Sequence, residues 1–176
     1  MFSLLRENLA VPELPELCTK LTVEVLRAVC GPDKAGENEF CSVVLEAIAE
    51  VHDAIATEDS FVSARSELSD DSRSRTRSET PESEEEVPFD KEKAKAKVLR
   101  EIMINMKCLH IAQCMLQNIE GNLQDNMHLV TMLNNLVVPA VRSHEAPIRE
   151  RGLECLGLCC LLDKSLAEEN MSLFIH

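Results

Sequence analysis

Apolar residues recur every three or four positions along both ends of the chain, and this spacing restricts the fold more than any other feature. A period near 3.6 residues is that of an amphipathic α-helix. The composition agrees, since 45% of the residues are hydrophobic, whereas only 3% are aromatic and five are glycine. So few aromatic residues and glycines argue against a β-sandwich or a β-barrel. The sequence therefore predicts an all-α protein in which helices pack on helices.

An acidic, serine-rich stretch separates two such helical parts. Residues 57–90 contain 11 acidic and 4 basic side chains, which give −7 of the total net charge of −13. A segment this polar cannot bury enough apolar surface to offset the entropy that is lost on ordering. We predict a helical-repeat segment over residues 1–56, a disordered acidic linker over 57–90 and a second helical part over 91–176. The net charge also argues against a chain that clamps nucleic acid along its whole length, because a phosphate-binding surface requires excess cations.

Two helices are predicted before the linker. Pro12 suits the start of the first helix and Gly31 suits its end. The second helix follows Gly36. The predicted inner face of the first helix is formed by Leu14, Leu17, Leu21, Val25 and Ala28. That of the second is formed by Phe40, Val43, Val44, Ala47, Ile48, Val51 and Ile55.

Four helices are predicted after the linker, joined by short connections that favour antiparallel hairpins stacked as an α-α superhelix. Pro139 is expected to bend or end the second of them, and Asp163 to cap the fourth. Their predicted bounds are Asp90 to about Ile119, about Asn126 to Val141, about Ala146 to Leu162, and Lys164 onward. The inner faces of the first two are formed by Val98, Ile102, Met106, Leu109 and Ala112, and by Leu129, Leu133, Leu136, Val137 and Ala140.

The chain has eight cysteines, all within apolar periodic stretches, which indicates reduced thiols that fill the core of a cytosolic or nuclear protein. Cys155, Cys159 and Cys160 lack the paired knuckles of a zinc site. Cys108 and His110 stand two residues apart and so point away from each other on a helix. Paired catalytic carboxylates, a phosphate-binding glycine loop and a long apolar run are also missing. The sequence predicts no enzyme, no metal, no cofactor, no small-molecule substrate and no membrane span.

The stretch LVVPAVRSHEAPIRERGLECLGLCCLL, residues 136–162, is the most informative part of the chain. A helix ends near its first proline, a polar turn follows, and a second helix opens whose pattern IRxxGLxCLG resembles that of a HEAT repeat. In this pattern Ile148 and Leu156 face inward, and small residues let neighbouring helices approach. Arg149 can hold the adjacent loop through carbonyls or carboxylates. The residues assigned to the motif are Pro139, Ile148, Arg149, Gly152, Leu156 and Gly157.

From Val98 to Phe174 the chain resembles the C-terminal domain of the condensin HEAT subunit, the CAP-G class, in a form closer to fungal sequences. The pieces that carry this resemblance are KVLREIMINMKCLHIAQCMLQNI, LNNLVVPAVRS and above all LGLCCLLDK. It implies a non-catalytic condensin subunit that is recruited by a kleisin, works beside SMC ATPases and supports mitotic chromosome condensation. It also implies a location in the nucleus and on chromosomes, with a cytoplasmic pool. Because family members are much longer, we expect this chain to be a piece of a larger subunit.

Several alternatives stay open at this point. Three lysines of the predicted helix after the linker are candidate weak DNA contacts, namely Lys93, Lys95 and Lys97. The alternative interpretation is that they form a solvated face paired with the acidic linker. In either case, DNA is expected to be held by the full-length protein rather than clearly by this segment. An unrelated HEAT or armadillo adaptor, such as a transport receptor or a phosphatase scaffold, is the second functional hypothesis. A helical enzyme would need a cluster of polar groups in a pocket. The candidate phosphorylation sites in the linker are Ser69, Thr80 and Ser83.

Overall fold

The computed structural model describes residues 2–11, 13–67 and 88–175, with side chains described outside 54–67 and 88–91. In these ranges every regular element is helical, which confirms the predicted all-α class. The α-helices are α1 (Phe2–Leu9), α2 (Glu16–Cys30), α3 (Lys34–Glu67), α4 (Pro88–Leu116), α5 (Met127–Met132), α6 (Val138–Val141), α7 (Ala146–Leu162) and α8 (Lys164–Ile175). A 3₁₀ turn at Leu123–Asp125 precedes α5, and a π-helical turn at Leu133–Val137 joins α5 to α6.

Helix α2 buries a different face from the predicted one. It begins at Glu16, after Pro15, and its buried residues are Thr19, Val23 and Leu26. The predicted face is largely in solvent, since Leu17, Leu21 and Val25 are 67%, 51% and 51% exposed. Apolar residues occupy both sides of this helix, so periodicity alone could not say which side is covered. Helices α1, α3 and α4 pack against α2, and the N-terminal helix α1 itself was not predicted.

The predicted inner face of α3 is confirmed over most of its length. Phe40, Val44, Ala47, Ile48 and Val51 are all buried. The first turn of α3 is tight, because a side chain at Gly36 would collide with the carbonyl of Cys30. The predicted Ile55 lies among the side chains that are not described.

The helices on either side of the predicted linker extend into it. Helix α3 continues through residues 57–67, and α4 begins at Pro88 rather than at the predicted cap Asp90. Residues 57–67 contain neither glycine nor proline, so nothing in their sequence ends a helix, and proline is well suited to a first helical position. Residues 68–87 of the predicted linker lie outside the described residues.

Helix α4 is the element that α2, α3 and α7 share. Most of its second half is buried, and the buried residues are Ile104, Lys107, Cys108, Leu109, Ile111, Ala112, Cys114, Met115 and Leu116. Residues 92–101 of this helix are exposed, including Val98, which was predicted to face inward and is 47% exposed. The predicted inner face is therefore correct only for the second half of the helix.

Cross-helix hydrogen bonds give the directions of the neighbours of α4. Helix α2 runs parallel to it, because His110 contacts the carbonyl of Glu16 at 3.1 Å and Arg27 donates to the carbonyl of Asn118 at 3.2 Å. Helix α3 runs antiparallel, since the Cys108 thiol lies 3.8 Å from the Ile48 carbonyl while the Glu120 N–H donates to Glu37 at 3.2 Å. Helix α7 packs on a third side, where the Cys155 thiol donates to the carbonyl of Leu109 at 3.5 Å.

Pro139 does not end its helix, because a π-helical turn accommodates it. The N–H of Val138 donates to the carbonyl of Leu133, five residues back, instead of to that of Asn134. Proline has no N–H and its ring crowds the preceding turn, and a wider turn relieves both problems. The carbonyl of Asn134 consequently has no helical donor. The N–H of Val138, four residues on, is bonded to Leu133, and Pro139, five residues on, has no N–H.

The predicted α7 and the predicted cap before α8 are both confirmed. Helix α7 spans Ala146–Leu162, and the Asp163 carboxylate accepts hydrogen bonds from the N–H groups of Ser165 at 2.9 Å and Leu166 at 3.3 Å. Gln124 donates to the other oxygen of Asp163 at 2.6 Å. The bond from Gln124, together with the two backbone bonds, lowers the pKa of Asp163. This side chain thus fixes the α7–α8 corner to the 3₁₀ turn.

A buried lysine ties the start of α2 to α4. The Lys107 ammonium donates to the carbonyl of Leu14 at 2.8 Å and to the hydroxyl of Thr19 at 2.6 Å. The Thr19 hydroxyl in turn donates to the carbonyl of Pro15 at 3.2 Å. Burial lowers the pKa of Lys107, and these oxygens replace the water that the charged group loses.

Replacing Thr19 with valine removes one acceptor from the Lys107 ammonium at almost constant volume. We expect Thr19→Val to reduce the free energy of unfolding by about 1–3 kcal/mol, because a buried donor is then left short of a partner. Urea denaturation followed by circular dichroism measures the change. Thr22→Val is the matched control, since the Thr22 hydroxyl donates to the Cys18 carbonyl of its own helix. Equal losses in the two variants would contradict a stabilising role for the Lys107 contact.

Candidate interaction surfaces

The residues of the HEAT-like pattern lie at the junction of α6, the following turn and α7. Ile148 and Leu156 are buried at 7% and 4% exposure. The Arg149 guanidinium donates to the carbonyls of Ser143 at 3.0 Å and His144 at 3.4 Å, so it closes the turn that precedes its own helix. These contacts position the two helices of one hairpin and leave no group of the motif arranged for chemistry.

Gly152 is the point of closest approach between α6 and α7. A Cβ atom there would lie 2.9 Å from the Cβ of Ala140, 2.9 Å from the N of Val141 and 3.0 Å from the C of Ala140. Two of these atoms belong to the backbone and cannot turn aside. Gly157 is different, because a Cβ there would meet only Phe174, at the ordinary distance of 3.9 Å. The first glycine is therefore required by packing and the second is not.

A polar cluster that the sequence analysis missed joins α2, α4 and α7. The Arg151 guanidinium donates to Gln113 Oε1 at 2.7 Å, contacts His110 Nδ1 at 3.2 Å and pairs with Glu16 at 3.3 Å. Gln113 also donates to Glu154 at 3.0 Å. The partners come from three helices that are far apart in sequence, so no local spacing could reveal them. The cluster clamps the helices together, because the Arg151 guanidinium of α7 contacts side chains of both α2 and α4.

Five of the eight cysteines are buried core residues, whereas Cys18, which was predicted to fill the core, is exposed and Cys30 and Cys160 are half-buried. Burial raises the pKa of the Cys41, Cys108, Cys155 and Cys159 thiols to about 12. Burial also raises the pKa of Cys114, although its sulfur lies 3.6 Å from His110 Nε2. Thiolates are the reactive form, and these groups stay protonated at neutral pH. Among the described residues, no three potential ligands lie together in a way that could hold a metal ion.

The lysines proposed as DNA contacts do not form one surface. All three lie in the exposed first half of α4. Lys93, Lys97 and Arg100 share one side of the helix, because residues four and seven positions apart are aligned, whereas Lys95 points to the other side. Lys93, Lys97 and Arg100 each already take part in an interaction within the protein. The candidate phosphorylation sites Ser69, Thr80 and Ser83 lie outside the described residues.

A shallow cleft of about 250 Å³ opens where α3, α4, the α5–α6 helix and the turn before α7 meet. It lies beside the π-helical turn, close to the HEAT-like pattern. The residues that line it are His52, Asn105, Asn135, Leu136, Pro139, Ala140, Ser143 and Ile148. Within the described ranges no helix has the length and apolarity needed to cross a bilayer.

Comparison with known proteins identifies related sequences. Residues 107–176 match the family model of nuclear condensing complex subunits, C-term domain. The chain is 37% identical over 187 residues to condensin complex subunit 3 of Schizosaccharomyces pombe, which covers 98% of this chain and 20% of that protein. It is 42% identical to condensin complex subunit 3 of Saccharomyces cerevisiae over 36% of this chain and 6% of that protein. The chain thus spans about a fifth or less of the length of these relatives.

A solved structure has the same fold. A chain in the crystal structure of the S. pombe condensin Cnd3–Cnd2 subcomplex matches 99% of this chain with a TM-score of 0.66 and 33% sequence identity. The match covers 18% of that longer chain. Together these similarities confirm the HEAT-type helical fold and the resemblance to the condensin HEAT subunit that the sequence indicated.

Adding a methyl group at Gly152 should separate α6 from α7. We expect Gly152→Ala to reduce the free energy of unfolding by about 1–3 kcal/mol, because the new Cβ overlaps backbone atoms that cannot move independently. Gly157→Ala is the matched control in the same helix, and it should raise stability by up to about 1 kcal/mol through helix propensity. Urea denaturation of both variants measures the difference. Similar effects of the two substitutions would show that the α6–α7 contact tolerates a wider spacing.

The buried thiols should make the fold sensitive to alkali. Their pKa values rise from 9.0 in the unfolded chain to about 12 in the folded one, so the folded state holds more protons between pH 9 and 12. Stability is therefore retained below pH 9 and falls above it, by about 1.4 kcal/mol per pH unit for each thiol. Urea denaturation at pH 8, 9 and 10 measures the slope.

The contribution of one thiol can be isolated with a matched pair of variants. Cys108→Ala should reduce the loss of unfolding free energy above pH 9 by the contribution of one thiol, about 1.4 kcal/mol per pH unit. This holds whatever the effect of the substitution on stability at neutral pH. Cys18→Ala, which removes an exposed thiol, is the control for the loss of a cysteine as such. An unchanged slope in Cys108→Ala would contradict the protonated, buried state of this thiol.

Proposed function

Because this is a HEAT-repeat chain of the condensin subunit 3 family, we propose that it serves as part of a non-catalytic subunit of the condensin complex. The observation that carries the proposal is the 37% identity to condensin complex subunit 3 across 98% of this chain. That similarity extends through α1–α3, well beyond the region matched by the family model. The polar groups described above support a scaffold role, since they bind one another across helices and the thiols are protonated.

We propose a kleisin subunit as the direct partner. The support is that the similar solved chain belongs to a subcomplex of Cnd3 with Cnd2. Through the kleisin, the protein would be joined to the SMC ATPase subunits. In this assembly the helical hairpins provide packing and curvature, because each repeat of a solenoid contacts mainly its neighbours.

We propose that the full-length protein engages DNA in mitotic chromosome condensation. We also propose that it is located in the nucleus and on chromosomes, with a cytoplasmic pool. Lys93, Lys95 and Lys97 are at most weak contributors, because they point to two sides of α4 and therefore cannot all face one phosphate backbone. Modification of Ser69, Thr80 or Ser83 is a proposed means of regulation. Phosphate would add negative charge to a segment that is already acidic.

Affinity purification from mitotic cells tests the proposal. The bait is the full-length natural protein that carries this sequence, compared with a version that lacks residues 98–174. We expect kleisin and SMC subunits to be recovered with the intact protein. Recovery of transport receptors or phosphatase subunits in their place would contradict the condensin assignment and favour an unrelated adaptor.

A variant with a predictable local defect serves as a control for the deletion. Gly152→Ala should disturb the α6–α7 hairpin, whereas Gly157→Ala should not. Loss of kleisin from the deletion and from Gly152→Ala, but not from Gly157→Ala, would assign part of the kleisin-binding surface to this hairpin. Full recovery with all three baits would restrict residues 98–174 to a supporting role.

A further inference from the structure

The cleft beside the π-helical turn has an apolar floor and a polar rim. Ala140 and Ile148 are 6% and 7% exposed and form the floor with the half-buried Leu136. The polar side chains around it come from four different elements. They are His52 of α3, Asn105 of α4, Asn135 of the π-helical turn and Ser143 of the turn before α7.

Much of the hydrogen-bonding capacity of the rim is unused. Asn105 donates to the carbonyl of Glu101 at 2.9 Å, and the Ser143 oxygen accepts from the N–H of Glu145 at 3.2 Å. Neither bond occupies the amide oxygen of Asn105 or the hydroxyl proton of Ser143. In the part of the chain that the structure describes, the side chains of His52 and Asn135 make no hydrogen bond.

The residue before Asn135 has a backbone acceptor without its helical donors, although Asn134 itself does not line the cleft. The carbonyl of Asn134 has lost both helical donors, as a result of the Val138 bond to Leu133 and of the missing N–H of Pro139. A carbonyl without a partner gains free energy from a donor that a ligand brings. Donors and acceptors are therefore both available within one short stretch of surface.

The chemistry of the lining selects the class of ligand. No Asp, Glu, Lys or Arg lines the cleft, so it lacks the carboxylates that hold hard metal ions and the cations that neutralise nucleic-acid phosphates. At about 250 Å³ it is smaller than the roughly 300–1,000 Å³ that is usual for small-molecule pockets. Carboxamide groups donate and accept at once, and a polypeptide backbone presents one donor and one acceptor per residue.

We propose that this cleft binds an extended peptide segment. Asn135 and Asn105 bond its backbone, and one of its aliphatic side chains rests on Leu136, Ala140 and Ile148. The proposal rests on the proposed function in one respect, namely that the kleisin subunit supplies the peptide. An extended segment suits this role, because such chains fold onto a partner along a series of small sites.

A pair of adjacent asparagines provides the test. Asn135 lines the cleft and Asn134 does not, yet both side chains are exposed in the same turn. The full-length natural protein is titrated with its purified kleisin subunit, and binding is measured by isothermal titration calorimetry. We expect Asn135→Ala to weaken binding about 5- to 10-fold through the loss of one or two hydrogen bonds, and Asn134→Ala, which keeps its backbone carbonyl, to stay within 2-fold.

Site-specific photo-crosslinking supplies a second measurement. A benzoylphenylalanine at position 135 should crosslink to one kleisin peptide, identified by mass spectrometry, whereas the same group at the exposed Thr131 should not. The proposal for the cleft would be overturned if the two alanine variants bound kleisin equally well, or if only position 131 crosslinked to kleisin. Binding by the wild-type protein would still support the proposed function in that case. Absence of wild-type binding to the kleisin would overturn both.

Discussion

Burial of the second half of α4 is the constraint on which the other helices depend. Helices α2, α3 and α7 each contact a different side of it, so the N-terminal part and the HEAT-like hairpin are joined mainly through this one element. Each large apolar side chain buried there contributes about 1.5–3 kcal/mol. The charged Lys107 is tolerated in this environment only because Leu14 and Thr19 supply oxygens.

Local sequence rules predicted those elements whose causes lie close together in the chain. The bounds of α7, the cap at Asp163 and the inner face of α3 all follow from spacing and from residues within one or two turns. The covered side of α2 did not, because both of its sides are apolar and the choice depends on helices elsewhere. Pro139 was predicted to disturb its helix, but the π-helical turn that absorbs it depends on packing around the whole hairpin.

The candidate surfaces show the same division. The HEAT-like pattern and its resemblance to a condensin subunit could be identified from contiguous residues such as the LGLCCLLDK run. The Arg151 cluster and the cleft around Asn135 could not, since each draws side chains from three or four helices. Helix spacing does show that Lys93 and Lys95 diverge, but only the structure shows that this part of α4 is exposed.

Gly152 sets the distance between α6 and α7. In a stacked array of helices, a change in that distance also changes the angle at which the next helices pack. A hairpin opened slightly at this contact would tilt everything attached beyond it, and the displacement would grow with distance along the array. The S. pombe relative is about five times as long as this chain, so a change too small to unfold the hairpin could still misalign remote parts of such a protein. The absence of one methyl group would in this way help to determine the shape of a far larger molecule.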